Sequence, residues 1–221
     1  ALPAATRALV SPPDRGLAHA IAAETLRRLL DLDALIDSAT RQRLPDDAKA
    51  RMALRIALAQ TLALGTPPHA AIATVLPLVD GGPRRLVHGV FGTLMRQGVA
   101  LPDTPTLPEV VAARWRAAWG EETVAAAARA IAAPPPLDLT LRDPAWAGLE
   151  GESLAPGHLR LADAGPVPEL AGFDEGAWWV QDLAASIPAR LIGAGQGRAL
   201  DLCAAPGGKT LQLAAAGWKV T

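Results

Sequence analysis

The three consecutive prolines Pro134-Pro135-Pro136 constrain this chain more than any other feature, because the apolar side chains recur differently on either side of them. Proline has no backbone N–H to donate, and a run of it holds a stiff, extended geometry, so neither a helix nor a central strand passes through. Before the break, apolar residues recur at helical spacing. After it they alternate with period two between Gly, Pro and Asp turns. The expected organisation is two domains, residues 1–133 and residues 134–221.

The first domain reads as all-α. Residues 1–13 look like a loop ending in Ser11-Pro12-Pro13. A helix is expected from Asp14, with Leu17, Ile21, Leu26, Leu29 and Leu30 near one face, followed by a short helix over Leu32 to Ala39. Pro45 is expected to open the next helix, with Asp46 and Asp47 in its first turn, where the helix dipole favours acids. Its buried side would carry Met52, Ile56, Ala59 and Leu62. Further helices are expected over His69 to Leu78, closed by Gly81-Gly82-Pro83, and over Arg84 to Gln97. Thr106-Leu107-Pro108-Glu109 has the spacing of a capping box. The helix it starts would hold Trp115 and Trp119 as a core pair, a base-stacking role being the alternative, and would stop at Gly120. An Ala-rich helix then runs from Glu121 to Ala132.

In the second domain, Leu137-Asp138-Leu139-Thr140-Leu141, His158-Leu159-Arg160-Leu161 and Trp178-Trp179-Val180 read as strands, with Trp178 and Trp179 on opposite faces. Asp182 is placed to cap a helix from Leu183 to Ile192, despite Pro188. Ala199-Leu200-Asp201-Leu202-Cys203-Ala204-Ala205-Pro206-Gly207-Gly208-Lys209-Thr210 reads as a strand, a tight turn and the start of a helix. In an α/β sheet such a turn is where a ligand is held, since glycines let the backbone approach and the helix start leaves N–H groups free. Gly208-Lys209-Thr210 ends like a phosphate-binding loop, but Cys203 stands where that loop requires glycine, so an NTPase is disfavoured. The bland alternative is a tight α/β turn without a ligand.

Cys203 is the only cysteine in the 221 residues, which excludes a disulfide framework and a cysteine zinc site. It is read as a small buried residue lining the loop rather than a nucleophile. His19, His69, His88 and His158 lack metal-ligand spacing and read as surface or capping residues. No secretory signal or membrane-length apolar run is visible, so a cytoplasmic protein is expected. The net charge of −1 argues against strong non-specific nucleic-acid binding, although the first domain has a small basic surplus and the second an acidic one. Most of the arginines are read as solvated helix faces.

Taken together, these stretches resemble the bacterial ribosomal-RNA cytosine-5 methyltransferases of the Sun (Fmu) family. The ten residues Asp201 to Thr210 carry the resemblance most specifically, and look like that family's S-adenosylmethionine-binding motif. Gly172-Phe173, Gly176, Trp178, Val180-Gln181-Asp182 and Ala184-Ala185 lead into it in family order. Pro67-Pro68-His69-Ala70-Ala71, Arg114-Trp115, Trp119-Gly120 and Pro135-Pro136-Leu137 match upstream. The resemblance implies α plus α/β architecture. An all-α NusB-like RNA-binding bundle would be followed by a small mixed segment and the start of a Rossmann-like methyltransferase core. It implies that Cys203, Ala204, Ala205, Pro206, Gly207, Gly208 and Lys209 bind S-adenosylmethionine. It further implies a monomer that acts on ribosomal RNA without metal or membrane. Family chemistry uses a cysteine thiolate that attacks C6 of cytosine, with a second cysteine aiding release. Those cysteines lie beyond the cofactor loop, and no cysteine follows Cys203, so no catalytic residue is assigned here. Trp218-Lys219-Val220-Thr221 looks like the family's second strand, ending before its ribose-binding acid. The chain is therefore expected to be the N-terminal part of an enzyme and inactive alone. The alternative function is an RNA-binding module with no catalysis of its own.

Overall fold

Helix α4 (Lys49–Leu62) is the axis of the first half, because its alanines let neighbouring helices approach on several sides. The computed structural model describes residues 2–9, 11–162 and 164–221, apart from the side chains of Leu2 and Pro3. Ala1 and Val10 of the expected N-terminal loop lie outside them. Two compact units are present, Ala1–Pro134 and Pro135–Thr221, dividing within the triproline.

The first unit contains α1 (Leu2–Ala5), α2 (Pro12–Arg27), α3 (Leu29–Ser38), α4, α5 (Pro68–Val75), a 3-10 turn (Leu76–Leu78), α6 (Gly81–Gln97) and α7 (Glu109–Ile131). Helices α2, α3, α5 and α6 all pack on α4. Leu32, Ile36, Leu54, Leu58, Val75, Val87, Phe91 and Leu94 form the core between them. Gly120 breaks α7, with φ 82 and ψ 170.

Several sequence expectations are corrected. Pro45 opens no helix: residues 46–47 form a turn and α4 starts at Lys49. Gly81-Gly82-Pro83 does not end a helix but forms the first turn of α6, where a proline loses no helical hydrogen bond. Thr106 does not cap α7, whose N-cap is Pro108. Instead Thr106 donates its N–H and its hydroxyl to the buried Asp31 carboxylate, at 3.2 and 2.5 Å, tying the connection before α7 to α3. The α4 core face runs through Ala53, Leu54, Ala57 and Leu58; of the expected stripe Ala59 is buried with them and Ile56 and Leu62 pack against the core, while Met52 is 45% exposed. Leu17 and Leu26 on α2 are also exposed. Trp115 and Trp119 are not a core pair: their rings lie 6.5 Å apart, and Trp119 is 64% exposed.

Arginine burial is the largest departure from a solvated-face reading. Arg51 is wholly buried and Arg55 nearly so, both on α4 facing α3. Arg55 Nε and Nη2 donate to the two oxygens of Asp33 at 2.7 and 2.8 Å. Arg51 lies 2.9 Å from Asp33, pairs with Asp37 and donates Nε to the Leu44 carbonyl. Burial pushes the Asp33 carboxyl up, but the hydrogen bonds and charges of Arg55 and Arg51 outweigh it and leave it below the usual carboxylate range.

The second unit has two small sheets. Strands β1 (Leu137–Leu141), β2 (His158–Leu161) and β3 (Trp178–Val180) form an antiparallel sheet in the order β2-β1-β3. One face carries Leu139, Leu141, Leu159, Leu161 and Trp178 into an apolar cluster. Period-two alternation puts Asp138, Thr140 and Trp179 on the other face, which receives α8 (Leu183–Ile192). Beyond it, β4 (Arg198–Ala199), α9 (Gly208–Ala215) and β5 (Lys219–Val220) form a strand–helix–strand unit with β4 and β5 parallel.

Candidate functional site

The turn between β4 and α9 is folded by Asp201. Its backbone N–H donates to the Thr221 carbonyl at 2.9 Å, continuing the β4–β5 ladder. Its Oδ2 accepts the Thr210 hydroxyl at 2.7 Å, and its Oδ1 accepts the Cys203 N–H at 3.1 Å. A carboxylate has enough lone pairs for both donors, so this acid fixes the loop against the first turn of α9. Gly207 is the N-cap of α9 with φ 117, a backbone conformation that favours glycine. The first N–H groups of α9 have no acceptor within the helix.

A concave pocket of about 220 Å³ lies against this turn. Cys203, Ala204, Ala205, Pro206, Gly208 and Lys209 line it from one side, and Val180, Gln181, Asp182 and Ala185 from the other. Of the seven residues expected to hold a cofactor, six line the pocket; Gly207 does not, and acts through the turn it permits. The second wall was matched in sequence only as a lead-in, because nothing in the spacing of residues 180–185 shows that they face residues 203–209. Cys203 is exposed, which corrects the expectation of a buried residue.

The second wall is held from several directions. Gln181 accepts the Trp179 indole N–H at 2.8 Å and donates toward Gln212 at 3.2 Å. A Cβ added at Gly208 would stand 3.3 Å from the Gln181 side chain, so glycine gives this close approach. Asp182 caps α8 through Oδ1, which accepts the N–H groups of Ala184 and Ala185. Its Oδ2 accepts no hydrogen bond among the described residues. Small side chains, a helix start and a carboxylate suit a zwitterionic amino-acid group.

Behind this wall, Asp138 gathers donors from two elements, β2 and α8. Arg160 Nε and Nη2 bond its two oxygens at 2.7 and 2.8 Å, and the Leu183 N–H at the start of α8 bonds Oδ2 at 3.2 Å. His158 Nε2 lies 3.2 Å from Oδ2. His158 is thus a buried partner, which corrects its expected place at the surface. The Arg160 hydrogen bonds hold the Asp138 carboxyl well below the usual carboxylate range against the opposing effect of burial, with Leu183 and His158 adding to the shift. The Asp138 carbonyl also accepts the Gln181 N–H at 3.0 Å.

Among the described residues no cluster of His, Cys, Asp and Glu is placed to hold a metal ion, and no helix is long and apolar enough to cross a membrane.

Comparison with known proteins adds three findings. Residues 2–88 match the NusB family. The chain is 34% identical to ribosomal RNA small subunit methyltransferase B of Xylella fastidiosa (strain Temecula1), over 96% of this chain and 54% of that protein. It is 32% identical to the protein of the same name from Klebsiella pneumoniae subsp. pneumoniae, over 92% of this chain and 53% of that one. The chain spans about half the length of the curated relatives it matches. The crystal structure of PH0851 shares the fold with a TM-score of 0.64 at 16% identity, over 96% of this chain and 55% of that one.

Proposed function

Because the chain is homologous along most of its length to the small-subunit ribosomal RNA methyltransferases B and carries a NusB domain, we propose that it is part of such an enzyme. The reaction assigned is methyl transfer from S-adenosylmethionine to C5 of a cytosine in small-subunit ribosomal RNA. In this reading the helical unit of residues 1–133 binds RNA in the cytoplasm, and residues 134–221 begin a Rossmann-like methyltransferase core. S-adenosylmethionine, when bound, supplies an electrophilic sulfonium methyl.

The observation that carries the reading is the pocket between residues 203–209 and residues 180–185 in a chain with these relatives. The α9 N-terminus would hold the cofactor carboxylate, and Asp182 Oδ2 its ammonium group. Lys209 and the small side chains of Ala204 and Ala205 would border it. Leu200 and Leu202 are 69% and 85% exposed beside the short β4–β5 pair, which is how they would stand if a wider parallel sheet covered them.

Thermal unfolding of the chain with S-adenosylmethionine, S-adenosylhomocysteine or ATP tests this. A rise in Tm with the first two and none with ATP is expected, and the reverse pattern overturns the assignment. Labelled cofactor and unmodified small-subunit RNA should give no methyl transfer with this chain alone, since it holds no cysteine after Cys203. Clear transfer would overturn the view that it is a part of the enzyme.

A further inference from the structure

On the α8 face of the three-stranded sheet, a second cavity of about 180 Å³ opens among Thr140, Arg142, Pro156, Trp179, Arg190 and Gln212. The cofactor proposal does not use it. Its lining includes two guanidinium groups and no carboxylate.

Each polar group has capacity left. Thr140 is 4% exposed, and its buried Oγ1 has no hydrogen-bond partner among the described residues. A buried hydroxyl left unpaired costs about 1–3 kcal/mol, so it marks a place where a further polar atom belongs. The Arg142 side chain is exposed and has no hydrogen-bond or ion-pair partner among the described residues. Arg190 donates Nε to the Ser186 hydroxyl at 2.8 Å and Nη1 to the Pro156 carbonyl at 2.6 Å. A guanidinium has five N–H donors, so these bonds fix its position and leave donors unspent. Arg160, which could have competed for an anion, is already paired with Asp138.

We propose that this cavity binds a phosphodiester group of single-stranded RNA, with Arg142 and Arg190 meeting the phosphate oxygens and the Thr140 hydroxyl donating to one of them. Trp179 supplies an apolar wall for the adjoining sugar or base. The inference rests on the RNA-methyltransferase reading only for the source of the phosphate; an anion site follows from the cavity itself. Trp179 is bonded to Gln181, and Gln212 to Gln181 and to the Ser186 carbonyl, so the RNA cavity and the cofactor pocket share one hydrogen-bonded wall. A nucleotide held here would lie beside the proposed cofactor site.

The test uses the 221-residue chain labelled with 5-fluorotryptophan, with Trp179→Phe identifying the Trp179 fluorine resonance. A short single-stranded RNA and inorganic phosphate are titrated separately, and RNA affinity is followed against salt. RNA is expected to shift the Trp179 resonance. Arg142→Ala, which removes a side chain without partners, should weaken RNA binding about tenfold and lower the salt slope by about one. Thr140→Val should weaken it several-fold with the fold intact. RNA binding that leaves the Trp179 resonance unmoved and ignores both variants overturns this site while sparing the RNA reading. Phosphate binding here without any RNA response overturns the RNA source, and no response to either ligand overturns the site and the RNA reading together.

Discussion

Leu58 in the helical unit has no exposure, whereas Leu202 in the second unit is 85% exposed. Both lie in apolar stretches, so composition does not separate them. Leu58 sits on α4, where α2, α3, α5 and α6 close around it. Leu202 sits beyond a two-residue parallel strand whose only partner among the described residues is β5. Parallel strands are normally covered on both faces, yet Leu200 and Leu202 are largely exposed. The two units nevertheless bury charge in similar fashion: Asp33 with Arg51 and Arg55, and Asp138 with Arg160, each join an acid to guanidinium groups across two elements. The first unit uses its ion pair inside a closed helical core. The second uses its pair to anchor the wall of a site.

The comparison is broken most strongly by removing Asp33. Asp33→Ala leaves the buried Arg51 and Arg55 with one fewer carboxylate, and breaking such a network costs about 4 kcal/mol. Urea unfolding should show this as a fall in the midpoint of the helical transition. Burial of the same order without charge is probed by Leu58→Ala, which should cost about 3 kcal/mol by opening a cavity beside Leu54 and Leu32. A loss below 1 kcal/mol for Leu58→Ala would mean that the helical core is less closed than its exposures imply.

Asp138→Asn sharpens the other half of the comparison. It keeps the shape of the side chain but turns an NH₂ toward donors from Arg160, Leu183 or His158, with an expected loss of about 2 kcal/mol. Hydrogen exchange should speed up first at Leu183, because its N–H is held by the Asp138 carboxylate, and less at Gln181, whose N–H is held by the Asp138 backbone carbonyl. The pH dependence follows from the same contacts. Asp33 and Asp138 both have folded pKa values below their unfolded ones, so their stabilisation is present above about pH 4. It is lost as pH falls through the lower folded values. The acid limb of the unfolding curve should therefore flatten in Asp138→Asn, and an unchanged limb would remove Asp138 as a source of acid sensitivity.

How much of this was legible from residues differs between the units for a physical reason. The strands β1, β2 and β3 were readable because alternation over Leu137 to Leu141 or His158 to Leu161 directly reports a half-buried sheet. The helices were readable as helices, but their faces only in part. Met52 and Leu26 satisfy the same spacing as Leu54 and Leu58, and only the packing of four neighbours on α4 decides which arc is buried. Arg51 and Arg55 look like a solvated pair on α4 until Asp33 and Asp37 are seen opposite them on α3. In the candidate site, the loop of residues 203–209 carries its own signature of small residues and glycines. The opposing wall of Gln181 and Asp182 has none, since its placement depends on Asp138, more than forty residues earlier in the chain, receiving the Gln181 and Leu183 N–H groups.

The smallest expected effect is the most direct probe of the contrast between the leucines. Leu202→Ala removes a side chain that is 85% exposed, so little apolar surface is returned to water. The cost should lie within about 0.5 kcal/mol, against about 3 kcal/mol for the same substitution at Leu58. If the corresponding leucine of a longer relative is covered by a wider sheet, the same substitution there should be as damaging as Leu58→Ala is here. Measuring Leu202→Ala in both the 221-residue chain and a full-length relative therefore separates two accounts of one exposed side chain. A near-zero cost in both would make Leu202 a surface residue by nature. A cost that appears only at full length would show that its exposure here reflects absent neighbours.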